Sequence, residues 1–173
     1  MKFKAANPDN KAPRNLTVSF TLAILMLFAS TLQSQSGTES HEYSADGETT
    51  IENINGMRVI TLRDNVYVRQ NGIELTGAIA ILEYSQENQL QKVTLTGSPA
   101  NFSQIDQESP DIITGHSDTI TYYAGTESVV EFIGNASFSQ PGTNLLCAQI
   151  RHIIESGATS GQACSGSLSP QSN

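Results

Sequence analysis

Arg58-Val59-Ile60-Thr61-Leu62-Arg63 alternates apolar and polar side chains and breaks at Asp64-Asn65; Val66-Tyr67-Val68-Arg69-Gln70 then resumes the alternation and turns at Asn71-Gly72 into Ile73-Glu74-Leu75-Thr76. Alternation with period two is the pattern of a strand that buries one face. Asn-Gly between two such runs suits a type I′ hairpin, because both central residues of that turn take positive φ. The same grammar continues outward from this stretch: a Gly77 corner, residues 78–84, residues 92–96 ending at Gly97, residues 100–104, residues 112–114 with Gly115, residues 119–123, residues 128–133, Gly134-Asn135 and residues 136–140. No window in this region carries apolar residues at i, i+3, i+4 and i+7 over three turns. Ile150, Ile153 and Ile154 are a short exception that fits one helical turn. The expectation is an all-β chain.

The strands repeat. Residues 60–84 lie over residues 130–154 at an offset of 70, matching Asn65 to Asn135, Gln70 to Gln140, Gly72 to Gly142, Leu75 to Leu145 and Ala78 to Ala148. Residues 76–84 lie over residues 114–122 at an offset of 38, and Leu95-Thr96-Gly97-Ser98 aligns with Leu62-Arg63-Asp64-Asn65 and with Phe132-Ile133-Gly134-Asn135. A unit of about 33 to 38 residues recurs, and a period in that range means stacked supersecondary units that share a continuous core.

Isolated glycines within strand patterns mark bulges or corners. With corners at Gly97, Gly115 and Gly134, the sheet folds over itself like a taco, open along one side, and one face of every strand points inward. By alternation, the inward face carries Leu62, Val66, Val68, Leu75, Leu82, Tyr84, Leu95, Phe102, Ile120, Tyr122, Phe132, Phe138, Leu145 and Ile150. The outward face carries Tyr67, Arg69, Glu83, Ser103, Thr121, Glu131 and Ser139, while residues 78–82 are apolar at both parities.

Composition sets the class. The 173 residues include 38% apolar, 15% charged and 6% aromatic residues, no Trp, and a formal charge of −8. An acidic balance excludes nucleic acid as the main partner, since phosphate neutralisation needs a basic face. Residues 1–36 have the order of a secretory signal peptide: a positive start at Lys2, Lys4, Lys11 and Arg14, an uncharged run over residues 16–32, then small and polar residues. The other reading is an uncleaved anchor, because seventeen uncharged residues sit at the lower limit for a membrane span. Without the leader, five bases and sixteen acids remain on residues 37–173, a net −11. Residues 37–156 are then the strand-rich domain and residues 157–173 a flexible Gly/Ser-rich tail. Cys147 and Cys164 are the only cysteines. In an oxidising compartment such a pair reads as a disulfide, worth about 3 kcal/mol for a loop of this length; two independent thiols is the alternative.

Four stretches carry a family likeness: Met1-Lys2-Phe3-Lys4; Gly97-Ser98-Pro99-Ala100-Asn101-Phe102-Ser103-Gln104; Gly115-His116-Ser117-Asp118-Thr119-Ile120-Thr121-Tyr122; and Gly134-Asn135-Ala136-Ser137-Phe138-Ser139-Gln140. In order and spacing they resemble the LptA/OstA family of periplasmic proteins that carry lipopolysaccharide between membranes, over about residues 50–154. The resemblance implies an incomplete, V-shaped β-jellyroll whose interior takes lipid A acyl chains, with Phe102 and Tyr122 pointing into that interior. It implies head-to-tail stacking of copies into a bridge, with an LptC-like partner at the inner membrane and an LptD-like partner at the outer membrane. The chain departs from the family pattern at Cys147-Ala148, where the family often has Gly-Asp, near Ala78, where an acidic residue is missing, and in the tail that holds Cys164.

The apolar inward residues have a plain alternative role as core. Enzymatic readings find little support: His41, His116 and His152 are scattered, and His116-Ser117-Asp118 is a lone H-x-D far from metal-ligand spacing. Gly157-Ala158-Thr159-Ser160-Gly161 is not a nucleophile elbow. No cofactor is expected. The expected function is a periplasmic lipopolysaccharide carrier; the alternatives are an LptC-like anchored adaptor that keeps its leader, and a structural β-solenoid that binds only other proteins.

Overall fold

A computed structural model describes residues 41–105 and 111–168; the leader lies outside the described residues. Ten strands form one antiparallel sheet: β1 (Glu42–Ser44), β2 (Thr49–Ile54), β3 (Met57–Gln70), β4 (Ile73–Tyr84), β5 (Leu90–Ile105), β6 (Ile112–Tyr123), β7 (Val129–Gln140), β8 (Thr143–Ile153), β9 (Thr159–Gln162) and β10 (Ser165–Leu168). β3 to β8 follow one another as a meander; β1 and β2 both pair with β3 at one edge, and β9 and β10 both pair with β8 at the other. The hairpin turns follow the local chemistry: Asn71 and Gly72 take φ of 48° and 80°, as a type I′ turn requires.

Each long strand is interrupted near its middle. The pairing register slips between Arg63 and Val66, Thr76 and Ile79, Thr96 and Ala100, His116 and Thr119, and Ile133 and Ala136. These slips fall on neighbouring strands, so they form one crease across the sheet. The offset of 70 has a structural counterpart here. Asp64-Asn65 (φ 64° and 46°) and Gly134-Asn135 (φ 77° and 49°) occupy equivalent points of the crease. At both points the asparagine amide donates to an aspartate, Asn65 to Asp46 at 2.7 Å and Asn135 to Asp118 at 2.9 Å.

The crease divides the sheet into two leaves. The first contains β2, residues 57–63, 79–84, 90–96, 119–123, 129–133 and 149–153, and β9; the second contains β1, residues 66–70, 73–77, 100–105, 112–116, 136–140 and 143–147, and β10. Their inner faces meet. Phe102 of the second leaf and Phe132 of the first stand edge to face, with ring centroids 5.5 Å apart; Phe132 and Phe138 do the same at 5.9 Å. This is an incomplete, V-shaped β-jellyroll, as the family resemblance implies, with the inward faces that the alternation predicts.

Three details differ from the sequence expectation. Gly115 is not at a corner: it pairs regularly with Phe102 and Phe138, and a Cβ there would lie 2.5 Å from the Phe132 ring. Its missing side chain makes room for a ring from the opposite leaf. Ile150 and Ile153 belong to β8 rather than to a helical turn, because the ladder to β7 outweighs a single local turn. Of the tail expected to be flexible, Thr159–Gln162 and Ser165–Leu168 instead form β9 and β10; beside them Cys147 and Cys164 are joined in the disulfide that the sequence offered as one reading.

Gly115→Val places two methyl groups where the Phe132 ring packs. Urea unfolding of the variant is expected to show a loss of about 2–3 kcal/mol; an unchanged midpoint would mean that the leaves do not meet at this point.

Candidate lipid-binding interior

Alternation sends every second side chain of both leaves into the space between them. Val66, Val68, Leu75, Leu82, Tyr84, Leu95, Phe102, Ile120, Tyr122, Phe132, Phe138 and Ile150 are all at most 5% exposed, and they form one cluster. Leu145 is half-buried and packs against that cluster near the β10 edge. Sequence reasoning missed Ile60, Ile73, Ala80, Val93, Ala100, Val130 and Ala136, which share the same cluster. Parity carried forward from their neighbours points to several of them: Ile60 lies two before Leu62, Val93 two before Leu95 and Val130 two before Phe132. Ala80 sits in a run apolar at both parities, where the structure turns Ile81 outward and Leu82 inward.

The open trough expected from sequence is closed. Between the leaves lies a space of about 10 Å³, lined by Val68, Gln70, Ile73, Leu75, Val93 and Tyr122. That is about the minimum for one water molecule, and it cannot hold an acyl chain. The physical reason is that an apolar trough facing water loses about 25 cal/mol for each Å² left exposed, so the facing side chains pack on one another. Two larger concavities, of about 290 and 640 Å³, lie on the outer surface beside polar groups such as Thr76, Asn101 and His116, or Asp64, Asn65 and Ser98. They offer an acyl chain no continuous apolar wall.

How the leaves are joined decides what this interior can do. All ladder pairing stays within one leaf or the other. The leaves share the covalent crease and, away from it, side-chain packing. The small space between Val68, Gln70 and Ile73 on one side and Val93 and Tyr122 on the other lies towards the Asn71-Gly72 hairpin, away from the crease. The V therefore has its hinge at the crease and its mouth along the hairpin turns.

Among the buried polar side chains, one is a histidine set within the apolar lining. His152 is fully buried, continues the inward parity of Ile150, and stacks against Phe138 with ring centroids 4.8 Å apart. Its Nδ1 is 2.9 Å from the Thr159 hydroxyl of β9, while its Nε2 has no hydrogen-bond partner among the described residues. Burial pushes its pKa below the ordinary histidine value and keeps the ring neutral. At the opposite end the Arg58 guanidinium lies 5.0 Å from the centre of the Tyr84 ring. His116, in the H-x-D triplet, is exposed, and Asp118 serves as the acceptor for Asn135. Among the described residues no three His, Cys, Asp or Glu side chains converge as metal ligands would.

A single creased antiparallel sheet, folded on an apolar interior and hinged along one line, defines an LptA-like β-jellyroll. A family sequence profile described as LptA/(LptD N-terminal domain) LPS transport protein matches residues 44–158. The chain belongs to this family of lipopolysaccharide transport proteins. No curated protein sequence matches it. Among solved structures, it is similar to the crystal structure of LptH from Pseudomonas aeruginosa, described as the LptA-homologous periplasmic component of the lipopolysaccharide transport device. That likeness has 22% identity and a TM-score of 0.68, and it covers 76% of this chain and 96% of LptH.

A histidine that is neutral in the fold and free to protonate when unfolded makes stability fall on acidification. The unfolded chain takes up a proton near pH 6.5, whereas the fold takes it up only at its lower pKa. Between those two values stability is expected to drop by up to about 1.4 kcal/mol per pH unit. Unfolding midpoints measured from pH 7 to pH 5 should show this slope in the native chain and a shallower one in His152→Leu; equal slopes would assign the titration elsewhere.

Proposed function

We propose that the chain is a periplasmic carrier segment that takes the acyl chains of lipopolysaccharide between its two leaves, and that copies stack end to end between an LptC-like partner at the inner membrane and an LptD-like partner at the outer membrane. The observation that carries this reading is the way the leaves are joined. A continuous apolar interior is enclosed by two sheets that share a crease and elsewhere meet through the packing of their inner faces, so the interior can open without breaking a ladder.

The energetics support an exchange rather than a preformed pocket. Parting the leaves over four large apolar side chains costs about 6–12 kcal/mol, at about 1.5–3 kcal/mol each. An acyl chain of about ten methylenes gains about 8 kcal/mol when it takes their place against the same surfaces. The two terms are of one size, so lipid replaces self-packing with moderate net affinity. That suits transport, because a station that bound much more tightly would retain its cargo. The phosphosugar stays outside, where the acidic outer surface gives its phosphates no counter-charge.

Stacking uses the sheet edges. The outward edges of β1 and β2 at one end carry ladder groups that no strand of this chain occupies among the described residues, and at the other end the long strand β8 carries only the short β9 and β10. Strand addition at such edges is a general mode of recognition.

A photo-crosslinking residue at Phe102 or Tyr122 is expected to give lipopolysaccharide adducts in cells, while the same probe at Arg69 on the outer face gives few. Absence of adducts at both interior positions, or equal yields at all three, would leave a packed module that binds only proteins. Ile73→Ser, at the mouth, is expected to change adduct yield more than Arg69→Ser does.

A further inference from the structure

The C-terminal edge is built differently from the rest of the sheet. β9 and β10 have four residues each, their side chains are almost all exposed, and Leu168, the large apolar residue of the pair, is 81% exposed. Burial of side chains therefore does not hold them on β8. They lie along it through two short ladders, Thr159–Gln162 against residues 149–152 and Ser165–Leu168 against residues 143–146. Between the ladders, at the level of the crease, the Cys147–Cys164 disulfide fastens their connection to β8.

Two glycines let the fastening come close. A Cβ on Gly161 would lie 2.7 Å from the Cys147 sulfur and collide with the Cys164 sulfur; one on Gly166 would lie 2.5 Å from the Asn144 carbonyl oxygen. Cys147 is buried on the sheet, whereas Cys164 is exposed, so one side of the bond is open to solvent. Beneath the two strands, β8 is an eleven-residue strand that crosses both leaves. At the opposite edge the chain has the same division: β2 serves the first leaf, β1 serves the second, and residues 45–48 cross the crease.

We propose that β9 and β10 form a redox-released cap on the C-terminal edge, and that the Cys147–Cys164 disulfide decides whether β8 is covered by this chain's own tail or by the β1 and β2 strands of a second copy. A second copy fits because its β1 and β2 are already spaced to serve one leaf each on either side of the crease. The capped edge is a poorer template: it offers two short strands, with a glycine in each, joined by a cross-linked bend. The uncapped edge offers one long strand that carries Leu145 and Leu146. The inference rests on the end-to-end stacking proposed above and adds its control. The switching step is balanced by a dithiol reductant. It supplies two electrons and two protons, the Cys147–Cys164 S–S bond becomes two thiols, and the reductant closes to its own disulfide.

The test compares the oxidised full chain with the same chain treated with dithiothreitol, and with a Cys147→Ser/Cys164→Ser variant. Amide exchange in residues 159–168 is expected to accelerate by about two orders of magnitude once the bond is absent. Light scattering after size exclusion is expected to show a monomer when oxidised and concentration-dependent multiples when reduced. A chain lacking residues 159–173 should form the multiples without reductant. Ile51→Lys, at a 60% exposed position of β2, should keep the reduced protein monomeric. The inference is overturned if residues 159–168 stay protected after reduction, if they are freed while the protein remains monomeric, or if Ile51→Lys leaves the multiples intact. Lipopolysaccharide adducts at Phe102, measured on the oxidised monomer, report on the carrier reading separately.

Discussion

The edge-to-face packing of Phe102, Phe132 and Phe138 across the interior is the contact on which the rest of the structure depends. Backbone ladders make each leaf stiff along its own plane, but none runs from one leaf to the other. The apolar side chains that meet between the leaves attract one another without direction, through dispersion and the removal of apolar surface from water. A directional network of hydrogen bonds would have to be broken one bond at a time for anything to enter. Side chains packed on side chains are replaced by any apolar body of matching size, and an acyl chain is such a body. The same contact therefore explains how the domain is stable when closed and why closure need not exclude cargo.

The crease makes that exchange local. It is formed by five register slips on adjacent strand pairs, each absorbed by residues that tolerate unusual backbone, such as Asp64-Asn65 and Gly134-Asn135. The Asn65–Asp46 and Asn135–Asp118 hydrogen bonds fasten two points of this line from outside. Bending along a line already free of regular ladder bonds costs little, whereas bending elsewhere would break them. The fold concentrates flexibility where the leaves join and rigidity where the interior walls must remain smooth.

Much of this was legible in the chain itself, for a physical reason. Period-two alternation survives because each strand buries one face, so Val66, Val68, Leu95 and Phe132 announce their own direction. The offset of 70 survives because the same bulge needs the same residues, which is why Asn65 and Asn135 fall at equivalent crease points. Gly115 was legible as a glycine with a purpose, but its purpose depends on Phe132, seventeen residues away and on the other leaf. The closed interior was not legible, because alternation fixes which way a side chain points and says nothing of the distance to what faces it. His152 was hidden by its type: a buried imidazole inside an apolar cluster follows parity but contradicts hydropathy. β9 and β10 were hidden by composition, since Gly, Ser and Thr without apolar alternation resemble a loose tail, and only a partner strand together with a cross-link gives them order.

The two ends of the sheet differ in charge as well as in construction. Glu42, Asp46, Glu48 and Glu52 lie along residues 41–54 at the N-terminal edge, a segment without Lys or Arg, whereas residues 143–168 carry only Arg151 and Glu155 as formal charges. Two N-terminal edges brought together would gather eight carboxylates at one seam, and like charges placed opposite one another are destabilising. Pairing an N-terminal edge with a C-terminal one brings the acidic strand against a neutral surface and avoids that repulsion. Copies stacked as proposed above would thereby be biased to run in one direction, with every mouth presented along the same side. A greasy path from copy to copy would require that alignment, because an acyl chain leaving one interior would have to meet the next without crossing water.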